Sequence, residues 1–302
     1  LKKNRMEHLN NHNFICFGEV LWDIFSSGAV PGGAPMNVAY HLHKQNKNPA
    51  IITAVGNDEK GKELLDIFSG YGLCTDFIQT DPIHETGKVY AKPNEDHEVV
   101  YDIVKPVAWD FIKWNEDLSE LVSKADYFVF GSLASRSPES KKTLLKLLES
   151  ARTKVLDINL RPPHFDKNIV EELLTKADFL KLNLSELELI TGWHSEFVNI
   201  RDRVMFVMDK FNIKNVVVTK GGDGAVLFYN GNEYTHNGYK VEVADTVGSG
   251  DAFLSGLLGK LLVKESPEEA LEFAIRMGAF IATQKGACPD YNIENVRNWD
   301  FK

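Results

Sequence analysis

Cysteine and long apolar runs are scarce in this 302-residue chain. Its three cysteines lie far apart, with no CxxC pair and no neighbouring histidine pattern. This spacing argues against a disulfide framework or a zinc site and favours a reducing, cytoplasmic compartment. No run approaches the length of a membrane span, and the polar N-terminus lacks the apolar core of a signal peptide. We interpret residues 1–12 as a flexible leader.

A dense run of basic residues is also absent. The chain has 34 basic and 43 acidic residues, which gives a net charge of −9. Nucleic acid and anionic membranes are therefore poor candidates as partners. Hydrophobic residues make up 43% of the chain, enough for a substantial core, so we interpret residues 13–302 as one α/β domain.

Short apolar runs alternate with amphipathic segments along most of the chain. The runs predict buried strands at residues 14–17, 50–55, 127–130, 155–158, 179–182 and 216–219. The amphipathic segments predict helices that include residues 60–69, 140–151 and 200–211. This alternation is typical of a mostly parallel sheet covered by helices on both faces. In such sheets ligands bind beyond the carboxyl ends of the strands, where the strand order switches.

Residues 245–251 (DTVGSGD) carry the strongest chemical signal. They follow a β-prone run at 239–243 and precede an apolar helical segment at 252–263. Two glycines at a strand-to-helix turn let backbone N–H groups converge where the helix dipole favours an anion. A carboxylate there, Asp251, is explained if it removes a proton as a phosphate arrives, which predicts phosphoryl transfer. The alternative is an ordinary turn at Gly248 and Gly250, with Asp251 as the helix cap.

A second glycine-containing turn follows the first predicted strand. Asp23 comes soon after that strand, and residues 31–37 (PGGAPMN) then open a helix. Asp23 and Asn37 can hydrogen-bond sugar-like hydroxyls, while Gly32 and Gly33 let the backbone approach closely. Taken alone, a plain turn followed by Asn37 in the first helical turn is the simpler interpretation.

Polar residues with a spacing of two follow the predicted strand at 155–158. Asp157, Asn159 and Arg161 are expected on one face of the strand end. The planar guanidinium of Arg161 suits phosphate oxygens. The alternative is a buried ion pair between Asp157 and Arg161.

Two further strand ends carry candidate ligand groups. Asn183 and Glu186 follow residues 179–182 and can hold a hydrated Mg²⁺; alternatively Asn183 caps a helix and Glu186 favours its dipole. Residues 216–224 predict a strand and a glycine-rich turn that leads into another strand, with Thr219 near a triphosphate. A plain hairpin turn is the alternative. Neither a Walker A sequence nor a strand-GxGxxG-helix unit is present.

Three extended pieces interrupt the alternation and predict a small β-sheet. Residues 86–92 and 98–104 read as a hairpin, and residues 22–30 as an extended segment. We expect the segments at about 22–31 and 84–105 to form a lid that excludes water from the reaction. A plain surface hairpin is the alternative. The apolar residues of the hairpin favour a homodimer formed through the lid: Val89, Val99, Tyr101 and Ile103.

In this order, the segments resemble the ribokinase-like carbohydrate kinase family over residues 14–291. Residues 245–253 are similar to its C-terminal signature and residues 31–39 to its N-terminal one. Residues 131–134 and 157–161 are most similar to bacterial fructokinases. The resemblance implies a Rossmann-like core with a β-lid and ATP-dependent phosphorylation of a sugar's primary hydroxyl, with fructose as the sugar. Ribose, 2-keto-3-deoxygluconate and a nucleoside remain alternative substrates, and a catalytically silent sugar- or nucleotide-sensing relative is an alternative of another class.

The resemblance also implies roles for individual residues. It makes Asp251 the catalytic base, beside an anion hole at Gly248, Ser249 and Gly250. The implied sugar-binding positions are Asp23, Gly32, Gly33 and Asn37. The implied positions for Mg²⁺, phosphate and nucleotide are Asn183, Glu186, Thr219, Gly221 and Gly224, with Glu186 reaching Mg²⁺ through water. Asp245 and the Val247 carbonyl correspond to a potassium site, and Arg161 is expected to neutralise developing charge.

Overall fold

The computed structural model describes residues 12–26, 28–93 and 99–300. The strands are β1 (Phe14–Phe17), β2 (Leu21–Phe25), β3 (Gly28–Gly32), β4 (Pro49–Gly56), β5 (Ile78–Asp81), β6 (Gly87–Pro93), β7 (Val99–Ile103), β8 (Tyr127–Gly131), β9 (Lys154–Asp157), β10 (Phe179–Asn183), β11 (Asn215–Thr219), β12 (Ala225–Tyr229) and β13 (Asn232–His236). The helices are α1 (Ala34–Lys44), α2 (Glu59–Gly70), α3 (Glu116–Lys124), α4 (Pro138–Leu148), α5 (Lys167–Leu174), α6 (Leu184–Gly192), α7 (Ile200–Phe211), α8 (Ser249–Leu262), α9 (Pro267–Ala282) and α10 (Ile293–Arg297).

The large sheet has the order β13-β12-β11-β10-β9-β8-β1-β4-β5. It is parallel from β5 to β11, and β12 and β13 are antiparallel additions at one edge. The strand order reverses at β1, because β4 pairs on one side of it and β8 on the other. The mostly parallel α/β fold predicted from the apolar runs is thereby confirmed. The reversal also marks the carboxyl ends of β1 and β8 as the place where a ligand is expected.

Two hydrophobic clusters cover the two faces of the sheet. In β1, Ile15 and Phe17 point into one cluster, and Phe14 and Cys16 point into the other. Helices α4, α5 and α7 contribute to the first cluster, and α1, α8 and α9 to the second. Burial on both faces explains why the strands read as continuous apolar runs. Each fully buried large aliphatic or aromatic side chain contributes about 1.5–3 kcal/mol.

A separate four-stranded sheet has the order β3-β2-β6-β7. It is mixed, because β2 pairs parallel with β6 while the β2–β3 and β6–β7 pairs are antiparallel. The predicted small sheet is therefore present; its closure as a lid stays a prediction. The tip of the hairpin, residues 94–98, lies outside the described residues, as do residues 1–11 of the predicted leader.

The apolar face proposed for dimer formation is not as predicted. Val89 and Ile103 are buried in the core of the chain itself, at 5% and 6% exposure. They pack inward because β6 and β7 lie against the helical turn at Ala108–Phe111, whose residues share their cluster. The side chains of Val99 and Tyr101 lie outside the described residues. A homodimer stays a prediction.

The β-prone run at 239–243 does not form a strand. The backbone N–H groups of Ala244 and Asp245 donate to the Ala282 carbonyl at the end of α9, at 2.9 and 3.2 Å. The three cysteines are free thiols, as predicted. Within the described ranges, no helix combines the length and apolar character needed to cross a bilayer.

A buried ion pair attaches the small sheet to the main domain. Arg136 Nε and Nη2 donate to the two carboxylate oxygens of Asp110, both at 2.8 Å. Nη2 also donates to the carbonyl of Val104, just beyond β7, at 2.6 Å. The guanidinium lies 3.9 Å from the centre of the Trp109 ring. Both charged side chains are almost completely buried, so each needs the other as a compensating partner.

Asp110→Ala should strongly destabilise the fold. It leaves the Arg136 guanidinium buried without its carboxylate, which costs about 3–5 kcal/mol. The free energy of unfolding from denaturant titration measures the loss. Glu294→Ala is the matched control, because its ion pair with Arg297 is about half exposed; that change should stay within about 0.5 kcal/mol. Equal losses in the two variants would contradict this anchoring role.

Candidate active site

Helices α1 and α8 begin beside each other, and neither has a side-chain cap. Their N-cap residues are Gly33, with φ 115°, and Gly248, with φ 76°. Helices α2, α3, α5, α6 and α7 instead start with an Asp or Asn side chain that accepts a backbone N–H. An uncapped helix start leaves N–H donors and the positive end of the dipole for a ligand. The two starts are joined by Asn37 Nδ2, which donates to Asp251 Oδ2 at 2.8 Å.

Asp251 is the third residue of α8 and is 8% exposed. Burial raises the pKa of its carboxyl group to about 6, and the negative charge of Asp157 adds to the rise. Lys181, Asn37 and Arg161 act in the opposite direction. The alternative in which Asp251 caps the helix is wrong, because Gly248 occupies the cap position. A carboxyl group with a pKa near neutrality in a buried helix start is suited to proton transfer.

The turn before α8 requires glycine at position 248. A Cβ there would lie 2.6 Å from Ala287 Cβ, and the backbone is left-handed. The hydrogen-bond donors of Ser249 are used within the turn, because its N–H and Oγ both donate to the Thr246 carbonyl, at 3.2 and 2.8 Å. The geometry of a helix start then leaves the N–H groups of Gly250 and Asp251 for an anion.

A buried lysine lies behind this turn. Lys181 Nζ donates to both carboxylate oxygens of Asp157 at 2.9 Å, and both side chains are buried. The alternative that paired Asp157 with Arg161 is therefore wrong. The parallel register places Lys181 beside Asp157, whereas β9 ends at Asp157 and Asn159 is left-handed with φ 40°. Because the strand ends at Asp157, the prediction that Asp157, Asn159 and Arg161 share one face of the strand end is also wrong.

Lys181 was missed in the sequence. The available signal was a single lysine inside an otherwise apolar strand run. Arg161, by contrast, is exposed, and its Nη1 donates to the Leu160 carbonyl at 3.1 Å. Its charge lowers the pKa of Glu19, Asp23 and Asp251, which places it at the same edge of the sheet.

The predicted sugar-binding residues lie around the start of α1. Burial raises the pKa of Asp23 to about 6. A Cβ on Gly33 would collide with the Glu19 carbonyl, so this position requires glycine, whereas one on Gly32 would displace the Asp23 carboxylate. Asn37 is engaged at both ends: its Nδ2 binds Asp251, and its Oδ1 accepts from Cys288 Sγ at 3.4 Å.

Glu19 is a further acidic residue at this edge of the sheet, where the sequence predicts it without assigning it a role. It follows β1 directly and is 5% exposed. Burial raises its pKa to about 7. Among the described residues its Oε2 atom has no hydrogen-bond partner. The only signal was a charged residue immediately after a buried strand.

Asn183 and Glu186 form a reciprocal cap on α6. Asn183 Oδ1 accepts from the Glu186 N–H at 2.9 Å, and Glu186 Oε2 accepts from the Asn183 N–H at 2.8 Å. Glu186 Oε1 accepts from the Leu160 N–H at 2.8 Å. These hydrogen bonds agree with the alternative interpretation, in which Asn183 caps the helix. The described residues hold no cluster of three or more His, Cys, Asp or Glu side chains arranged for a metal. A hydrated Mg²⁺ at Asn183 and Glu186 stays a prediction.

A cleft of about 200 Å³ joins the turn after β11 to the start of α8. The predicted nucleotide residues Thr219, Gly221 and Gly224 line one part of it, and Ser249 and Gly250 another. The other lining side chains that extend beyond Cβ are Tyr239, Val241, Val243, Thr246, Phe253 and Ile275. The turn after β11 is a hairpin turn, which was the alternative interpretation of residues 216–224. It also lines this mostly apolar cleft.

Asp245 ties the turn before α8 to the loop after α9. Its Oδ1 accepts from the Val247 N–H at 3.0 Å and its Oδ2 from the Gly286 N–H at 3.1 Å. Val247 is 40% exposed. A potassium ion at Asp245 and the Val247 carbonyl stays a prediction.

Gly248→Ala should impair turnover and stability together. The new Cβ would press on Ala287 and displace the first turn of α8, in addition to a left-handed backbone cost of about 1–2 kcal/mol. Gly231→Ala is the control, since Gly231 has φ +79° but no described atom within 4 Å of an added Cβ. Steady-state kinetics and denaturant unfolding of both variants measure the two effects. Full activity in Gly248→Ala would show that the turn geometry is not needed.

Known proteins resemble this chain in sequence and in fold. Residues 8–294 match the family described as pfkB family carbohydrate kinase. The "Probable fructokinase-7" of Arabidopsis thaliana is 29% identical over 91% of this chain and 88% of that protein. A fructokinase double mutant from Vibrio cholerae O395, in fructose, ADP and potassium ion bound form, superposes with a TM-score of 0.80 at 25% identity, covering 94% of this chain and 96% of that one.

A putative Ribokinase II from E. coli shares the fold, with a TM-score of 0.83 at 18% identity over 95% of this chain and 98% of that chain. The predicted family and the predicted enzyme class, an ATP-dependent carbohydrate kinase, are confirmed. Because the match covers nearly all of its length, this chain belongs to the pfkB family of carbohydrate kinases.

Proposed function

We propose that this kinase transfers the γ-phosphate of ATP to the primary hydroxyl of fructose, with Asp251 as the base. The observation that carries the proposal is the position of Asp251 between two uncapped helix starts, held there by Asn37. The fructokinase names of the relatives support the choice of sugar.

The proposed reaction needs one proton transfer and one phosphoryl transfer. The hydroxyl proton passes to the Asp251 carboxylate as a new bond forms between the sugar oxygen and the γ-phosphorus. The bond from that phosphorus to the ADP oxygen breaks. The N–H groups of Gly250 and Asp251 face the charge of the transferred group, and Asn37 aims the carboxylate. In such reactions positioning and electrostatic stabilisation contribute most of the rate enhancement.

The cleft beside α8 is the proposed nucleotide site. Thr219, Gly221 and Gly224 line its far end, and Gly250 lies where the cleft meets the helix start. The triphosphate would then extend from the apolar cleft toward Asp251. Glu186 would hold Mg²⁺ through water, and the ion would supply positive charge opposite the phosphates; Arg161 would neutralise charge at the exposed edge. Potassium at Asp245 and the Val247 carbonyl is the corresponding proposal for a monovalent cation.

The sugar site is proposed on the α1 side of Asp251. Asp23 and Asn37 supply hydrogen-bonding groups, and Gly32 and Gly33 allow close approach of the backbone. The small sheet would close over this side as a lid. Ribose, 2-keto-3-deoxygluconate and a nucleoside are the competing substrates. A cytoplasmic location and a homodimer complete the proposal.

A coupled ADP-release assay across a sugar panel tests the substrate. We expect the highest kcat/KM with fructose among fructose, ribose, 2-keto-3-deoxygluconate and nucleosides. A higher value for another member would replace fructose while leaving the kinase assignment intact. Absence of turnover with every phosphate acceptor would instead favour a sensing relative.

Asp251→Asn should lower kcat by about 10²–10⁴-fold, the usual contribution of a positioned base. Binding of ATP, measured by calorimetry, should stay near the wild-type value because the N–H groups are retained. Asp209→Asn, at an exposed position in α7, is the control and should leave both quantities unchanged. Near-normal turnover in Asp251→Asn would remove the base assignment.

The pH profile should show an acid limb near pH 6. The pKa of Asp251 is raised to about 6, so the carboxyl group stays protonated below that pH and kcat falls as the pH drops through it. Asp23 has a similarly raised pKa, so Asp23→Asn is the control. That variant should raise the KM for sugar and keep the acid limb in kcat. If the acid limb disappears in Asp23→Asn, the limb belongs to Asp23 and the assignment to Asp251 is wrong.

A further inference from the structure

Lys181 is a buried cation within the large sheet. It lies in β10 between apolar neighbours, and its side chain is 8% exposed. Its ammonium donates to both oxygens of Asp157, whose side chain is 5% exposed. A buried ion pair recovers little net stability, because desolvation of both charges offsets their attraction. A structural role alone therefore explains the pair poorly.

The ammonium also lies at the positive end of a helix. A Cβ on Gly250, in the first turn of α8, would be 3.2 Å from Lys181 Nζ and 3.9 Å from its Cε. Cations are disfavoured at helix N-termini, where the dipole and the unpaired N–H groups are already positive. The cap residue Gly248 offers no side chain to offset them. Two positive features thus converge on one point, and both favour an anion there.

Further charged groups surround this point on several elements. The acidic groups that face Lys181 or Asp251 are Asp157 from β9, Glu186 from α6 and Glu19 after β1. Arg161 lies on the loop after β9, and the thiols of Cys16 and Cys288 complete the surroundings. Most of these charges are negative, and Lys181 is the buried positive charge among them.

We propose that Lys181, held by Asp157, is a positioning residue that supplies fixed positive charge behind the first turn of α8. This charge stabilises the transferred phosphoryl group through the N–H groups of Gly250 and Asp251, and it keeps Asp251 in the ionised form. The second part rests on the proposed role of Asp251 as the base. Substrate does not need to touch the ammonium, since the turn lies between them.

Two variants should move the acid limb of kcat in opposite directions. Lys181→Met removes the charge that lowers the pKa of Asp251, so the limb should move to higher pH. Asp157→Asn removes a charge that raises that pKa, so the limb should move to lower pH. Lys181→Met should also lower kcat at the optimum by about 10²-fold, comparable with the loss of one oxyanion donor.

Lys154→Met is the matched control. Lys154 is on β9 and pairs with Asp178 just before β10, so it joins the same two strands at their opposite ends. This variant should leave the limb unchanged. A merely structural role for Lys181 predicts lower thermal stability in Lys181→Met and Asp157→Asn with an unmoved limb. An unmoved limb, or shifts in the same direction, would overturn the proposal.

If Lys181→Met does not fold, Asp157→Asn decides alone: a limb at lower pH supports the proposal, and an unmoved limb rejects it. Failure of the Asp251 assignment is recognised separately. If Asp251 is not the base, Asp251→Asn retains turnover. If only the Lys181 proposal fails, Asp251→Asn is inactive and the acid limb stays in place in the Lys181 and Asp157 variants.

Discussion

The hydrogen bond from Asn37 to Asp251 is the contact on which the arrangement of the site depends. It joins residues 214 positions apart in the chain and brings the starts of α1 and α8 to one point. Because neither helix has a side-chain cap there, unpaired N–H groups and two helix dipoles face the same space. The carboxylate in this space is held by an amide from the other helix. The starts of the two helices thus meet through one hydrogen bond.

Charge balance is the second constraint. The carboxyl groups of Asp251, Asp157 and Glu186 lie close enough to affect one buried ammonium, that of Lys181. Such a cluster is costly without ligands, because each buried charge loses its hydration. The cluster places a carboxyl group with a pKa near neutrality beside N–H donors suited to an anion. That combination is the basis of the proposed role of Asp251.

The small sheet contacts the main domain at two places. Asp23, on β2, lies against Gly32 just before α1, while the Arg136–Asp110 pair attaches the end of β7 to the main domain. Its inner residues, Val89 and Ile103, belong to the same hydrophobic cluster as the main sheet. The inner part of the small sheet is therefore fixed to the main domain.

The parallel α/β fold, the small sheet and the carbohydrate kinase family followed from the sequence by itself, because apolar periodicity and glycine-rich signature segments are local properties of the chain. The role of Asp251 as the base stays a prediction. The sequence alone could not determine which charges pair. The alternative Asp157–Arg161 pair gave way to Asp157–Lys181, since lateral register between β9 and β10 is set only when the sheet assembles. The burial of Glu19 was likewise not predictable, because burial of a polar atom depends on what packs around it. Only the tertiary structure decided that Gly248, and not Asp251, caps α8, and that Asn37 comes from another helix to hold the Asp251 carboxylate.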